Sequence, residues 1–264
     1  MSDVVLAEVA DRIATITLNR PDARNAINRE LSYALWDAML AAGDDPAVDA
    51  VVLTGADPAF SAGVDLKEMS GQVPPSAAGR AAGLGPERGT NGLYRFLPVI
   101  DKPVIGAVNG VAVTGGLEIA LQCTFLVASD RARFADTHAR VGIMPGGGMT
   151  VLMAQSMGLR RAVELSLTGN FLTADQALQL GLVNHVVPHD ELLPFARKLA
   201  GDMVSNDQRG VRRLLQHYRE IANAATLDEA HRIEGEMAEA WEIVPADVAD
   251  RRDAVTARGR TQTL

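Results

Sequence analysis

Apolar residues form two different patterns along this chain. Short continuous apolar runs, such as 50–53 and 103–108, are bounded by Gly, Pro or Asp and predict buried strands. Other segments have apolar residues every three or four positions and predict helices, as for Leu31, Leu35 and Met39 with Asn28 as N-cap. The two patterns alternate through the first two thirds of the chain, and only the helical pattern continues to the end. The pattern predicts an α/β core followed by a helical part.

Further elements follow from local signals. Two alternating segments around Asp11-Arg12 predict a hairpin over 4–18, and Thr173 with Gln176 forms a capping box at a helix start. The segment 71–91 is rich in Gly, Pro, Ala and Ser and predicts a mobile loop with one weakly helical piece. The other predicted elements are a strand over 183–187, a helix over 160–167 and three C-terminal helices near 206–223, 227–243 and 246–258. We therefore divide the chain into a core, 1–200, and a helical C-terminal part, 201–264.

The stretch from Lys102 to Cys123 contains the strongest chemical signal. Its apolar run leads into a glycine turn, Thr114-Gly-Gly116, and then into an apolar helix that carries Glu118 in its first turn. Glycine allows close approach of a ligand to the backbone, and the first N–H groups of a helix have no acceptor within the helix. The turn can thus hold a developing negative charge. A tight strand-to-helix connection with a capping carboxylate explains the same residues.

Composition excludes several classes of function. The 264 residues carry a formal net charge of −8 without a basic block, which argues against nucleic acid and anionic membrane surfaces as partners. The single cysteine, Cys123, lies in the apolar helix, so no disulfide forms within the chain and a cytoplasmic location is expected. Neither a signal peptide nor a membrane span is predicted.

Standard cofactor, metal and nucleophile motifs are missing from the sequence. It contains neither of the glycine-rich nucleotide-binding fingerprints, and Ser61 does not lie in a Gly-x-Ser-x-Gly elbow. His185 and His189 are four residues apart, but Pro188 lies between them in a predicted strand, so we predict no metal site. Two glycine-flanked turns after buried strands remain, at 62–64 and 115–116, and together they have the parts of an oxyanion hole.

These two turns lie in segments that resemble a known family. The segment Phe60-Ser-Ala-Gly-Val-Asp-Leu-Lys-Glu-Met69 is similar to F-[AS]-A-G-x-D-[IL]-K-E-M, and 102–120 is similar to K-P-V-I-A-A-V-N-G-x-A-x-G-G-G-x-E-[IL]-A. Both are motifs of the crotonase superfamily, the enoyl-CoA hydratases and isomerases. Leu167-Thr-Gly169 and the segment 177–183 resemble two further family elements, and the resemblance runs from about residue 4 to residue 200.

The resemblance implies a fold, a ligand and a set of site residues. The fold is the crotonase (ClpP-like) spiral of β-β-α units with a helical C-terminal trimerisation part, giving a homotrimer or a dimer of trimers. The ligand is an acyl-CoA thioester, with no cofactor beyond the coenzyme A of the substrate. The oxyanion donors fall on the N–H groups of Val64 and Gly115. The CoA-binding candidates are Arg24, Ala26, Ala62, Asp65, Leu66 and Lys67. Arg24 and Lys67 are equally consistent with solvated surface charges.

One departure from the family pattern bears directly on the catalytic residues. Hydratases of the family use two glutamates, of which the first corresponds to Glu118 and the second lies in F-G-Q-P-E-x-x-x-G-x-x-P-G. Here that segment reads Phe134-Ala-Asp-Thr-His-Ala-Arg-Val-Gly-Ile-Met-Pro-Gly146, so His138 occupies the second position. An imidazole can transfer protons near neutral pH, and a Glu–His pair attracts where two carboxylates repel. A hydrogen-bonded histidine in a pocket wall is the alternative interpretation. If this segment is an extended strand, the side chains of Asp136 and His138 point to the same face, because they are two residues apart.

The sequence thus predicts an enoyl-CoA hydratase of the fatty-acid β-oxidation type. Glu118 and His138 are the predicted acid and base, and Val64 and Gly115 hold the thioester enolate. Two alternatives stay open: a double-bond isomerase that uses Glu118 alone, and a homologue that binds acyl-CoA without turnover.

Overall fold

The computed structural model describes residues 3–72 and 95–262. Its contacts divide the chain into two units, Met1–Arg212 and Arg213–Leu264. The predicted division at residue 200 stays a prediction. Most of the predicted loop 71–91 lies outside the described residues.

The first unit contains the strands and the first eight helices of the described residues. The strands are β1 (Val5–Ala10), β2 (Ile13–Leu18), β3 (Ala50–Gly55), β4 (Ala59–Ser61), β5 (Val104–Val108), β6 (Val111–Val113), β7 (Phe125–Ser129), β8 (Arg133–Ala135), β9 (Leu172–Thr173) and β10 (His185–Val187). The helices are α1 (Arg29–Asp44), α2 (Leu66–Met69), α3 (Gly115–Leu121), α4 (His138–Val141), α5 (Met149–Met157), α6 (Leu159–Thr168), α7 (Ala174–Gln179) and α8 (Leu192–Val204).

The strands form two sheets. The first has the order β1-β2-β3-β5-β7-β10, and the second has the order β4-β6-β8-β9. Among the strands that the structure describes, the antiparallel pairs are the β1–β2 hairpin in the first sheet and β8–β9 in the second, and the other pairs are parallel.

The chain passes between the two sheets three times in the same way. β3, β5 and β7 lie in the first sheet; β4, β6 and β8 follow each of them in the second; and α2, α3 and α4 come next. Each pass is one β-β-α unit, and successive units stack through parallel pairing. This confirms the predicted α/β spiral and brings the loops that precede α2, α3 and α4 to one end of the second sheet.

Burial on both faces explains why strands of the first sheet are continuously apolar. Every residue of β3 is buried. Val51 and Leu53 face the large core that includes α1, whereas Val52 faces a second cluster that includes Ala196 of α8. A parallel sheet covered on both faces has no solvent side, so the strands lack the polar alternation of a half-exposed sheet.

Lys102, the first residue of the strongest motif, has a structural role. It is 2% exposed, and its ammonium group donates to the carbonyl oxygens of Ala42 at 2.8 Å and Asp45 at 2.7 Å. A cation at these carbonyls satisfies the C-terminal end of α1 and complements its dipole. Burial lowers the pKa of Lys102, with a further contribution from nearby Arg212.

Helices continue to the end of the described chain. They are α9 (Gln208–Ile221), which spans the boundary between the units, α10 (Leu227–Glu239) and α11 (Pro245–Gln262), as predicted. The segment after Phe134 is extended only as far as Ala135, and a helical turn begins at His138, so the extended geometry considered for Asp136 and His138 does not occur. Among the described residues, no helix has the length and apolarity needed to cross a bilayer.

Candidate active site

Two glycine turns from successive β-β-α units meet at the end of the second sheet. One follows β4 and the other follows β6, its parallel neighbour. A Cβ atom built on Gly115 would lie 3.2 Å from Val64 Cγ2, and one built on Gly116 would lie 2.4 Å from the carbonyl oxygen of Ser61. Any side chain at Gly116 would displace the backbone of β4, so glycine is required for this close approach.

The N–H groups of Val64 and Gly115 are unpaired within the described ranges, 3–72 and 95–262. Gly115 opens α3, where the first N–H groups have no intrahelical acceptor. Beside Val64, the carbonyl of Gly63 accepts from Ile27 and the N–H of Asp65 donates to Ile27, which leaves the Val64 N–H outside this pairing. Two unpaired donors on adjoining turns are what an oxyanion requires.

The carboxylate of Glu118 is buried and held by a third turn. Only 2% of the residue is exposed, and its Oε1 accepts from the N–H groups of Gly147 at 2.7 Å and Met149 at 3.3 Å. A Cβ atom on Gly147 would lie 3.0 Å from Glu118 Cδ and 2.6 Å from the Phe96 ring, so this turn also requires glycine. Burial raises the pKa of Glu118, and this effect outweighs the attraction of His138 and the two N–H donors.

His138 lies in a second buried cluster that reaches Glu118. Its Nδ1 is 2.6 Å from Asp136 Oδ1, which also accepts from the His138 backbone N–H at 3.1 Å. The other carboxylate oxygen of Asp136 accepts from the Ser166 hydroxyl of α6 at 2.6 Å. Burial opposes ionisation of Asp136, but the hydrogen bonds from His138 and Ser166 together hold its pKa below the ordinary value.

The two clusters face each other across a short gap. His138 Nε2 lies 3.9 Å from Glu118 Oε2, the carboxylate oxygen that the Gly147 turn does not hold. This distance is too long for a direct hydrogen bond. One water oxygen making two hydrogen bonds of about 2.8 Å spans such a gap at an angle of about 90°. The structure therefore brings together Glu118 and His138, as the sequence predicted.

Gln122 is a polar contact that the sequence analysis did not use. It lies one turn after Glu118 on the same face of the helix, because residues i and i+4 lie one above the other. Its Nε2 donates to the carbonyl of Gly147 at 2.7 Å, and its Oε1 accepts from the N–H groups of Phe96 at 3.1 Å and Leu97 at 3.0 Å. The side chain thus holds the turn that holds Glu118. A second polar residue in a helix that is otherwise apolar was the available signal.

A hydroxyl pair links the oxyanion turn to the histidine turn. Thr114 Oγ1 and Thr137 Oγ1 are 2.6 Å apart. Thr114 has a φ of 53°, which is unfavourable for a β-branched residue and is maintained by its surroundings. This contact between residues immediately before Gly115 and His138 was also missed.

The predicted CoA residues lie on two segments that run side by side. The N–H of Ala62 donates to the carbonyl of Arg24 at 2.9 Å, and Ile27 pairs with Gly63 and Asp65 immediately beyond. The side chains of Arg24, Leu66 and Lys67 are exposed, and Ala26 is partly buried.

Asp65 has a structural role of its own. Its carboxylate caps α2 by accepting from the N–H groups of Lys67 and Glu68, and it pairs with Arg20 at 3.1 Å. The structure therefore brings the CoA candidates together, and their contacts with CoA stay a prediction.

Cys123, His185 and His189 lie in surroundings that indicate structural roles. Burial raises the pKa of the Cys123 thiol to about 12, so the group is protonated at neutral pH. His185 packs edge-on against Phe195, with ring centroids 5.1 Å apart, and His189 contacts Ser129 and Asp57. Among the described residues, no group of three or more His, Cys, Asp or Glu side chains is arranged to hold a metal ion.

Comparison with known proteins identifies relatives across most of the chain. The family model described as enoyl-CoA hydratase/isomerase matches residues 8–247. Crotonyl-CoA hydratase of Syntrophomonas wolfei is 37% identical over 209 residues, covering 79% of this chain and 78% of that protein. Short-chain-enoyl-CoA hydratase of Clostridium acetobutylicum is 39% identical over 208 residues, covering 76% of each.

Solved structures agree with these matches. The crystal structure of enoyl-CoA hydratase from Mycobacterium tuberculosis H37Rv is 43% identical, with a TM-score of 0.75 over 90% of this chain and 100% of that chain. A monofunctional enoyl-CoA isomerase from M. smegmatis is 28% identical, with a TM-score of 0.71 over 87% of this chain and 99% of that chain. The sequence match, the shared spiral and the meeting of the two glycine turns lead to one conclusion: this chain belongs to the enoyl-CoA hydratase/isomerase family.

Proposed function

We propose that this protein is an enoyl-CoA hydratase, which adds water across the C2–C3 double bond of a trans-2-enoyl-CoA thioester. The observation that carries the proposal is the 3.9 Å gap between Glu118 Oε2 and His138 Nε2, together with two N–H groups that have no partner within residues 3–72 and 95–262. Glu118 and His138 hold the water, and the N–H groups of Val64 and Gly115 receive the thioester oxygen. The names of the hydratase relatives support the same reaction.

In the reactive state, Glu118 is a carboxylate and His138 is an imidazolium. As the water oxygen bonds to C3, a carboxylate on Glu118 takes one of its protons, and an imidazolium on His138 delivers a proton to C2. Negative charge develops on the thioester oxygen between these events, and each oxyanion-hole donor lowers such a barrier by about 3–4 kcal/mol in other enzymes. The CoA of the substrate lies along Ala26, Ala62, Asp65 and Leu66, with its phosphates near Arg24 and Lys67. The reaction requires no further cofactor.

The test compares the products formed from a 2-enoyl-CoA and from a 3-enoyl-CoA. We expect crotonyl-CoA to give 3-hydroxybutyryl-CoA, followed by loss of the enoyl-thioester absorbance and by chromatography of the product. A 3-enoyl-CoA should react more slowly. The hydratase proposal fails if 3-enoyl-CoA is converted to 2-enoyl-CoA and no 3-hydroxyacyl product appears. Tight binding of crotonyl-CoA without any conversion would instead indicate the non-catalytic alternative. A location in the cytoplasm stays a prediction from cysteine content.

A further inference from the structure

The mechanism above uses one nitrogen of His138, and the structure also defines the environment of the other. Asp136 is 1% exposed and lies 2.6 Å from Nδ1, so its carboxylate accepts the Nδ1–H and leaves Nε2 directed at Glu118. The Ser166 hydroxyl holds the second oxygen of Asp136 at 2.6 Å. A carboxylate that is fixed at both oxygens sets the orientation and the tautomer of the ring that it contacts.

The charges of this cluster suggest why a histidine is paired with a buried aspartate. Among the described residues, the titratable groups that face His138 are Glu118 from α3 and Asp136 from the turn before α4, while α6 contributes the neutral Ser166. With Asp136 ionised, the Asp136–His138 pair has a charge of zero when the imidazole is protonated and −1 when it is not. These are the two charge states of a single carboxyl group. An isolated imidazole has +1 and zero instead.

We propose that Asp136 is a positioning residue and that Asp136 and His138 act as one acid–base unit, equivalent in charge to one glutamate. The proposal rests on the proposed hydratase function. It also accounts for two of the four departures in the segment 134–138, because the family pattern F-G-Q-P-E has Gln and Glu at the positions of Asp136 and His138.

The proton balance of the step is complete within these residues. Water gives its oxygen and one hydrogen to C3 and its other proton to Glu118. The π electrons of the double bond move toward the thioester, and Nε2–H gives its proton to C2. His138 is then neutral with its proton on Nδ1, held by Asp136, which remains ionised throughout. Proton return from Glu118 to Nε2 restores the starting state.

The first test is the pH profile of Asp136→Asn. The amide oxygen can still accept the Nδ1–H, but the negative charge that balances a protonated ring is lost. We expect kcat to fall roughly 10–100-fold, with little change in KM. The alkaline limb of the profile should move to lower pH. A purely structural role would lower the rate at every pH without moving the limb, and this result would overturn the proposal. Asp175→Asn, on the exposed start of α7, is the matched control.

The second test exchanges the whole unit. Asp136→Gln alone removes the charge partner, and His138→Glu alone crowds Asp136, Glu118 and a third carboxyl group into one buried site. Each single variant should lose at least about tenfold in kcat, whereas the double variant should recover to within about tenfold of the wild type. Additive losses in the double variant would overturn the proposal. Thermal unfolding of all three variants identifies those that fail to fold, and the NMR test below then decides.

The third test does not depend on turnover. We would record imidazole ¹⁵N resonances of the intact protein and assign His138 among the five histidines with His138→Gln. The neutral ring of the wild type should carry its proton on Nδ1, the nitrogen that lies 2.6 Å from Asp136 Oδ1. A proton on Nε2 in the neutral wild-type ring would overturn the proposal. An Nδ1 proton in a protein that hydrates no enoyl-CoA would support the pair and reject the hydratase assignment, so the two failures are distinguishable.

Discussion

At the scale of single residues, Glu118 has the environment of a proton carrier. One of its oxygens is held by two backbone N–H groups, and the other faces His138. Burial raises its pKa toward the range in which a carboxyl group can both take and give a proton. We therefore expect the Glu118 carboxyl group to support activity and, when it is ionised, to lower the stability of the folded protein.

The first prediction concerns the activity of Glu118→Gln. The amide oxygen can keep the hydrogen bonds from Gly147 and Met149, so the fold and the binding of acyl-CoA should persist. Hydration should fall by roughly 10²–10⁴-fold, the usual worth of a general acid or base. Steady-state kinetics and thioester binding measure the two effects, and the exposed Glu164→Gln on α6 is the control. Undiminished turnover would remove Glu118 from the mechanism.

The second prediction concerns the pH dependence of stability in Glu118→Gln. A carboxyl group with a raised pKa in the folded state stabilises the protein below its unfolded pKa of about 4.3, and this stabilisation is lost as pH rises through the folded value. The variant should therefore be more stable than the wild type at pH 8 and have a higher Tm there. The gain should disappear near pH 4. Calorimetry at both pH values checks this, and equal gains at both would contradict it.

At the scale of elements, α3 organises the site. It supplies the Gly115 N–H at its start, Glu118 in its first turn and Gln122 at its end. Gln122 joins residues 96–97 to the Gly147 turn, which in turn holds Glu118. A displacement of this helix would therefore move the oxyanion donor and the carboxylate together.

The third prediction concerns Gln122→Met, which keeps the length of the side chain and removes its polar atoms. Three hydrogen bonds from the Gln122 side chain to the backbone are lost, so we expect a loss of about 1–3 kcal/mol in the free energy of unfolding. A looser Gly147 turn should also lower kcat by roughly tenfold, because small misplacement of a catalytic group is costly. Urea denaturation and kinetics test both effects, with the exposed Gln155→Met on α5 as control. A variant that loses stability at unchanged kcat would limit Gln122 to a structural role.

At the scale of the whole molecule, the C-terminal unit has the composition of a contact surface. It contains α9 from Arg213 onward, α10, α11 and the segments that connect them. Large apolar side chains are exposed there in the single chain, namely Leu214, Tyr218, Leu227, Ile243, Val248 and Val255. Apolar surface of this kind favours association.

The fourth prediction is that this unit contributes to a homotrimer or a dimer of trimers. Sedimentation velocity at micromolar concentration should give a species of three or six chains of 28.0 kDa. Leu227→Asp and Val255→Asp should weaken the assembly, because a carboxylate in an apolar contact is costly unless it is paired. A wild-type monomer at these concentrations would contradict the prediction.

The sequence by itself determined the elements whose signals are local. The run Pro103 to Val108 and the glycine turn after it predicted a strand, a close approach and a helix with Glu118 in its first turn, and the structure has all three. Local signals suffice there because strand burial, glycine geometry and helix capping depend on residues that are near in sequence. The resemblance supplied the fold and identified His138 as the unusual position.

Only the tertiary structure decided how the site is held. The N–H groups that bind Glu118 lie about thirty residues further along, at Gly147 and Met149, and Ser166 contacts Asp136 from a helix in a later part of the chain. Even the short contact from Asp136 to His138 required the chain to leave the strand and begin a helical turn. Such contacts depend on how packed sheets and helices bring separate segments together. Local sequence patterns do not give the distances between residues that are far apart along the chain.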